Sequence, residues 1–83
     1  MESSILLKRE YGAVCLRLRE MMDRRGINRN QMARRVGVRF EVVDKWYRDE
    51  VEKLDLDVLA RLCFVLDCQP GELLAYRGPG GKA

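Results

Sequence analysis

The sequence predicts an all-α domain of five helices, and three observations support this fold class. Both prolines, Pro70 and Pro79, lie near the C-terminus, and helices tolerate proline poorly beyond their first turn. Apolar residues recur at the three- and four-residue spacing of a helix face along most of the chain. With 83 residues, 47% of them hydrophobic and 35% charged, the chain has the size and composition of one small domain.

The segment 29–48, RNQMARRVGVRFEVVDKWYR, predicts two short helices joined by a tight turn. Ala33 is small enough to let a second helix cross close to the first, and Gly37 supplies the positive φ angle of the bend. Apolar side chains on both sides of the bend would fix the angle between the helices: Met32, Val36, Val38, Val43 and Trp46. This pattern predicts a helix-turn-helix unit, whose second helix enters a DNA major groove.

The limits of the other helices follow from spacing and end signals. A first helix is expected over about residues 14–25, followed by Gly26 as a stop. Asn28 and Gln31 predict a capping box that starts the second helix, about 29–36. The recognition helix is expected over about 40–48, and Arg39 is a poor cap for it.

Downstream of an acidic connector, Asp55 is a suitable cap for a fourth helix. Its expected apolar stripe comprises Leu56, Leu59, Leu62, Cys63 and Leu66. Pro70 suits the first position of a short fifth helix, GELLAY. The predicted core comprises Leu18, Met22, Ile27, Met32, Ala33, Val36, Val38, Val43, Trp46, Leu59, Leu62, Leu66 and Leu73.

The sequence predicts three parts, which are an N-terminal arm (1–11), the helix-turn-helix domain (12–77) and a flexible tail (78–83). The arm is open to interpretation as an arm, strand or helix, because Gly12 weakens any helix running through it. Its short apolar run has no preceding basic region, so it is a poor signal peptide. No apolar run approaches the roughly 20 residues of a membrane span, and the expected location is the cytoplasm.

The chain lacks residues that several classes of protein function usually require. The chain has no histidine, which is the commonest general base and a frequent metal ligand. Cys15, Cys63 and Cys68 form no CxxC pair, so neither a zinc site nor a disulfide framework is indicated, and packing is their expected role. We therefore expect no enzyme, no metal or other cofactor and no small-molecule ligand.

Positive charge is concentrated on the helix-turn-helix. Residues 27–48 hold six basic and two acidic side chains, whereas residues 49–77 hold three basic and seven acidic ones. Such asymmetry suggests a polyanion on one face, although a solvated helix surface explains the charges equally well.

At these residues the chain resembles a known family. RNQMARRVGVRFEVVDKW, with LDVLARLCFVLDCQPGELLAY downstream, is similar to small regulators of the xenobiotic-response-element (XRE) type, relatives of lambda repressor and Cro. The resemblance covers about residues 14–76. It implies a compact five-helix lambda-repressor-like fold, binding of operator DNA as a transcriptional regulator, most often a repressor, and a homodimer.

The chain departs from the family pattern in four places. Arg29 stands where the family often has a glutamine that contacts a phosphate, and Arg39 stands where a serine or threonine usually caps the recognition helix. Trp46 replaces an aliphatic residue, and Asp49 with Glu50 replaces an Asn-Gly pair. These departures bear on the operator sequence rather than on the fold.

The residues expected to contact DNA form two groups. The expected base-reading residues are Arg39, Phe40, Glu41, Asp44 and Lys45. The expected phosphate-binding residues are Arg29, Asn30 and Arg48. Each charged residue can also be read as a solvated surface side chain, and Glu41 or Asp44 could draw Lys45 into an ion pair. Tyr47 is open to two interpretations, as a DNA-backbone contact or as partial core.

Two questions stay open at this stage. The first is whether the chain binds double-stranded DNA or is a protein-interaction module of the same fold, such as an antitoxin-like or anti-repressor subunit. The second is how it assembles. The apolar side chains expected at a dimer interface are Ile5, Leu6, Leu7, Leu74 and Tyr76, although the two segments could also cover each other within one chain.

Overall fold

The protein is described here by a computed structural model that covers residues 11–79. Its elements are β1 (Ala13–Leu16), α1 (Leu18–Arg25), α2 (Arg29–Val36), α3 (Phe40–Tyr47), α4 (Leu56–Leu66), α5 (Pro70–Leu73) and β2 (Leu74–Arg77). The two strands pair antiparallel, with Val14 opposite Tyr76 and Leu16 opposite Leu74. Five helices are therefore present as expected, but the all-α class is wrong in part because a two-stranded sheet joins the two ends of the domain.

The sheet replaces the outer turns of two predicted helices. The first helix begins at Leu18 instead of residue 14, and the last helix ends at Leu73 instead of continuing to residue 76. Gly12 has a φ angle of 91°, and a Cβ atom there would collide with the carbonyl oxygen of Arg77. Glycine at position 12 therefore allows the backbone to pass close to Arg77, where the sheet begins.

The core lies between the helices and follows the predicted set closely. Eleven of the predicted residues are buried, while Ile27 and Val38 are half-buried and pack against the others. Met21, Val58 and Cys68 are also buried, without having been predicted. The burial of Val43 and Trp46, which are only 1% and 3% exposed, confirms the predicted register of α3.

The longest helix of the described residues, α4, spans eleven residues and buries most of its predicted stripe. Its buried stripe consists of Val58, Leu59, Leu62 and Leu66. Leu56 was predicted in this stripe, but it is 71% exposed because it lies roughly a quarter turn from the centre of the stripe. Within residues 11–79, no helix has the length and apolar character required to cross a membrane.

The predicted starts of α2 and α4 are confirmed by the hydrogen bonds of their capping residues. The Asn28 side chain accepts from the backbone N–H of Gln31 at 2.8 Å, and the Gln31 side chain accepts in return at 2.9 Å. Asp55 accepts two backbone N–H bonds in the first turn of α4. Arg39 makes no side-chain cap to α3, as its residue type predicts.

The turn between α2 and α3 is fixed by Gly37, which has a φ angle of 79°. The guanidinium of Arg61 on α4 donates to the carbonyl oxygens of Val36 at 3.1 Å and Gly37 at 3.3 Å. These bonds use carbonyl groups that the end of α2 leaves without helical partners, and they tie the turn to α4.

The cysteines are all free thiols. Cys68 is buried, whereas Cys15 and Cys63 are half-buried, which confirms the expectation of packing roles. Burial raises the pKa of the Cys68 thiol above its ordinary value, so this thiol stays protonated at neutral pH.

Candidate nucleic-acid interface

The recognition helix α3 has one face in the core and the opposite face in solvent. Val43 and Trp46 point inward, whereas Glu41 and Lys45 are exposed on the other side. Asp44 lies between these faces and is half-buried.

The structure leaves four of the five expected base-reading residues exposed to solvent. Arg39 precedes α3 and Phe40 begins it, and both are exposed, with Phe40 at 38%. Glu41 lies in the first turn of α3 and Lys45 lies in its last turn. Among the described residues, neither of these two has an oppositely charged group within 4 Å, so the ion pair considered for Lys45 is not formed there.

Asp44, the fifth expected base reader, is occupied by two arginines. The Arg29 Nη1 atom donates to Asp44 Oδ1 at 2.5 Å. The Arg48 Nε atom lies 3.2 Å from Oδ1 and 3.1 Å from Oδ2 of the same carboxylate. The structure therefore brings together two expected phosphate-binding residues and one expected base reader.

This arrangement keeps Asp44 ionised. Desolvation alone would raise its pKa, but hydrogen bonds from Arg48 and Arg29, with the attraction of their charges, outweigh it and lower the pKa below its ordinary value. The carboxylate is thus a permanent negative charge between the two guanidinium groups at neutral pH.

Arg29 is held on a second side by aromatic rings. Its guanidinium carbon lies 4.8 Å from the ring centroid of Tyr47 and 5.8 Å from that of Phe40. The Tyr47 hydroxyl donates to Asp23 at 3.1 Å, and Arg19 lies 5.6 Å from the same ring. Tyr47 is half-buried and joins α1, α2 and α3 at this edge.

Sequence reasoning missed Arg19 and Asp23 as neighbours of the interface. Their spacing of four residues on α1 is that of a helical ion pair, and the two charged groups lie 3.8 Å apart. That local signal could have identified the pair. It could not have identified the contact with Tyr47, because this contact depends on how α1 packs beside α3.

The remaining expected phosphate contacts lie at the two ends of the unit. Asn30 is exposed in the first turn of α2, next to Arg29, and Arg48 is exposed directly after α3. Arg34 and Arg35, further along α2, are also exposed. Exposed cationic side chains are thus present on α2 and directly after α3.

The structure describes two of the five residues expected at a dimer interface. Ile5, Leu6 and Leu7 lie outside the described residues. Leu74 is half-buried, packs against the core and pairs with Leu16 in the sheet. Tyr76 is 57% exposed, and its hydroxyl donates to the carbonyl oxygen of Tyr11 at 2.5 Å.

Comparison with known proteins agrees with this geometry. YozG of Bacillus subtilis (strain 168), described as an uncharacterised HTH-type transcriptional regulator, is 26% identical over 65 residues, which cover 78% of this chain and 77% of YozG. A crystal structure of a Bacteroides fragilis protein, proposed to bind DNA, superposes with a TM-score of 0.67 at 16% identity. It covers 76% of this chain and 100% of that one, and shows the same fold.

A family model described as the Cro/C1-type HTH DNA-binding domain matches residues 17–78. This match includes all five helices and the whole of the α2–α3 unit. It confirms the resemblance to XRE-type regulators, and the chain belongs to the Cro/C1-type helix-turn-helix family of DNA-binding domains.

Proposed function

We propose that the chain is a transcriptional repressor that inserts α3 into the major groove of a specific operator. The observation that carries this proposal is the exposed face of α3, whose polar side chains Glu41 and Lys45 are not engaged within the described residues. A helix is narrow enough for the major groove, where each base pair presents a distinct set of donors and acceptors.

The proposed contacts to bases follow from chemistry. Arg39 or Lys45 can donate to O6 and N7 of guanine, Glu41 can accept from N4 of cytosine, and Phe40 can pack on a thymine methyl group. All four side chains are exposed at the N-terminal and outward parts of α3, which is the part of a recognition helix that contacts base edges.

The proposed contacts to phosphates lie around this helix. Arg29 and Asn30 lie at the start of α2, where backbone N–H groups and the helix dipole favour an anion. Arg48 lies at the end of α3. Phosphate contacts from both helices would fix the orientation of α3 in the groove but would carry little sequence information.

We also propose that the regulator acts as a homodimer in the cytoplasm. A single recognition helix covers few base pairs, and a two-fold dimer would place two of them about 34 Å apart, one turn of DNA. Val14 and Tyr76 support this proposal, because they face each other in the sheet and both are exposed. Together they give the sheet an apolar surface that a second copy can cover.

The proposal is tested by fluorescence anisotropy with a labelled random duplex at low and at moderate salt, followed by selection of bound sequences from random DNA. We expect affinity that falls steeply with salt and a selected sequence that is two-fold symmetric. An interaction module without DNA binding, which the family match does not favour, would give no salt-sensitive binding and no enriched sequence.

A further inference from the structure

One carboxylate connects the two helices of the DNA-binding unit. Arg29 is the first residue of α2, and Arg48 directly follows α3. Both donate to Asp44, which lies one helical turn before Arg48. Asp44 thus joins two arginines that are 19 positions apart in the sequence and that the proposed docking assigns to phosphates.

Asp44 uses only a small part of what these arginines can donate. Each guanidinium carries five N–H donors in a planar fork. Arg29 bonds to Asp44 through Nη1 and Arg48 does so through Nε, and within residues 11–79 neither guanidinium makes a hydrogen bond to any other residue. A phosphate can therefore bind the remaining donors while the carboxylate stays in place.

Asp44 is also better placed to support the two arginines than to contact bases. Its side chain is 24% exposed and lies on the flank of α3 next to Arg29, whereas Glu41 and Lys45 lie on the exposed face. The ring of Tyr47, 4.8 Å from the Arg29 guanidinium, restricts that group further. A side chain that is already held loses less conformational freedom on binding.

We propose that Asp44 is a positioning residue, whose carboxylate holds Arg29 and Arg48 in the orientation that binds DNA phosphates. It reads no base, in contrast to the role expected from its place in the sequence. This inference rests on the proposed docking of α3. A permanent negative charge at the edge of a DNA interface is then useful, because it orients two positive charges.

The test compares two variants that each remove one negative charge. Asp44→Asn is nearly isosteric, and Glu50→Gln changes an exposed carboxylate two residues after Arg48 that has no ion pair within the described residues. If charge alone mattered, both variants would bind DNA more tightly. Positioning instead predicts that Asp44→Asn binds random duplex about two- to tenfold more weakly, while Glu50→Gln binds as tightly as the wild-type protein or more tightly.

Two further measurements separate positioning from a merely structural role. The slope of log affinity against log salt should fall by about one in Asp44→Asn, because an arginine no longer holds its phosphate. In an Arg29→Ala background, the effect of Asp44→Asn should shrink, because one of the groups that Asp44 orients is absent. Asp44→Glu keeps the charge and should bind with an affinity between the wild-type protein and Asp44→Asn. It also provides the test if Asp44→Asn does not fold.

Three outcomes would overturn the inference. Tighter DNA binding by both charge-removing variants would show that Asp44 only repels the phosphates of DNA. A changed preference at one base pair, with unchanged affinity for random DNA, would make it a base reader. A wild-type protein without salt-sensitive DNA binding would remove the proposed docking itself, and with it this role of Asp44.

Discussion

The carboxylate of Asp49 accepts a hydrogen bond from the backbone N–H of Leu16 at 2.9 Å. Asp49 follows α3 with a φ angle of 59°, a conformation that non-glycine residues rarely adopt. Leu16 ends β1, which is 33 residues away in the sequence. One side chain therefore connects the exit of the recognition helix to the sheet. The XRE-type pattern has an Asn-Gly pair at this point, so this link belongs to the departure at Asp49.

Replacing Asp49 by glycine should destabilise the fold by about 0.5–1.5 kcal/mol. Glycine adopts the positive φ angle without strain but removes the acceptor for Leu16. Asp49→Asn is the matched control, because asparagine tolerates the same φ angle and keeps a side-chain oxygen. Urea unfolding of both variants measures the difference. Equal stability of the glycine and asparagine variants would show that the bond to Leu16 contributes nothing.

Replacing Ala33 by leucine should cost about 1–3 kcal/mol, because the larger side chain would force α3 away from α2. Ala33 is only 6% exposed within the core. Arg34→Leu introduces the same side chain at the neighbouring, exposed position and serves as control. Thermal unfolding monitored by circular dichroism should show a lower midpoint for the Ala33 variant alone. A midpoint equal to that of the control would contradict close packing of the two helices.

The ion cluster around Asp44 should make stability depend on pH in one direction. Because the folded pKa of Asp44 lies below its ordinary value of 3.8, the unfolded chain binds the proton more readily. The stabilisation is then present above about pH 4 and is lost as pH falls through the folded pKa. NMR titration of the Asp44 carboxyl group measures this pKa directly. In Arg29→Ala and Arg48→Ala the pKa should move upward, and an unchanged value would contradict the bonds to that arginine.

If two copies associate through the sheet, the apparent mass of the protein in sedimentation equilibrium should rise with concentration from that of a monomer to that of a dimer. Tyr76→Ser removes the ring from the exposed apolar surface and should weaken the dimer. Phe64→Ser is the control, because Phe64 is exposed on α4 rather than on the sheet. A monomer at all concentrations, with no pairing on operator DNA, would contradict the dimer. Loss of association only in the Phe64 variant would move the interface to α4.

The sequence was sufficient to predict the central helices because their signals are local. The capping pair Asn28 and Gln31, the glycine at position 37 and the inward positions of Val43 and Trp46 all lie within about twenty residues. Each one is a contact between close neighbours in the chain or a face of one helix. The bounds of α2 observed here, Arg29–Val36, coincide with the expected ones.

The sheet and the Asp44 cluster were not predictable in the same way. Val14 pairs with Tyr76, and a strand of four residues carries too little periodicity to be distinguished from a helix end. The Arg29–Asp44 bond joins residues 15 positions apart on two helices, so it depends on their crossing angle. Helical position alone put Asp44 with the groove-facing residues, whereas the structure puts it on the flank beside α2.

The measurement that tests the docking of α3 most directly compares Lys45→Ala with Arg29→Ala on the preferred sequence and on random duplex. We expect Arg29→Ala to weaken both complexes alike and to lower the salt slope by about one, as for a phosphate contact. Lys45→Ala should cost about 1–3 kcal/mol on the preferred sequence and much less on random DNA, as for a base contact. Both side chains lie outside the core, so both variants should fold. If Lys45→Ala lowers the two affinities equally, Lys45 contacts a phosphate and the proposed orientation of α3 in the groove is wrong.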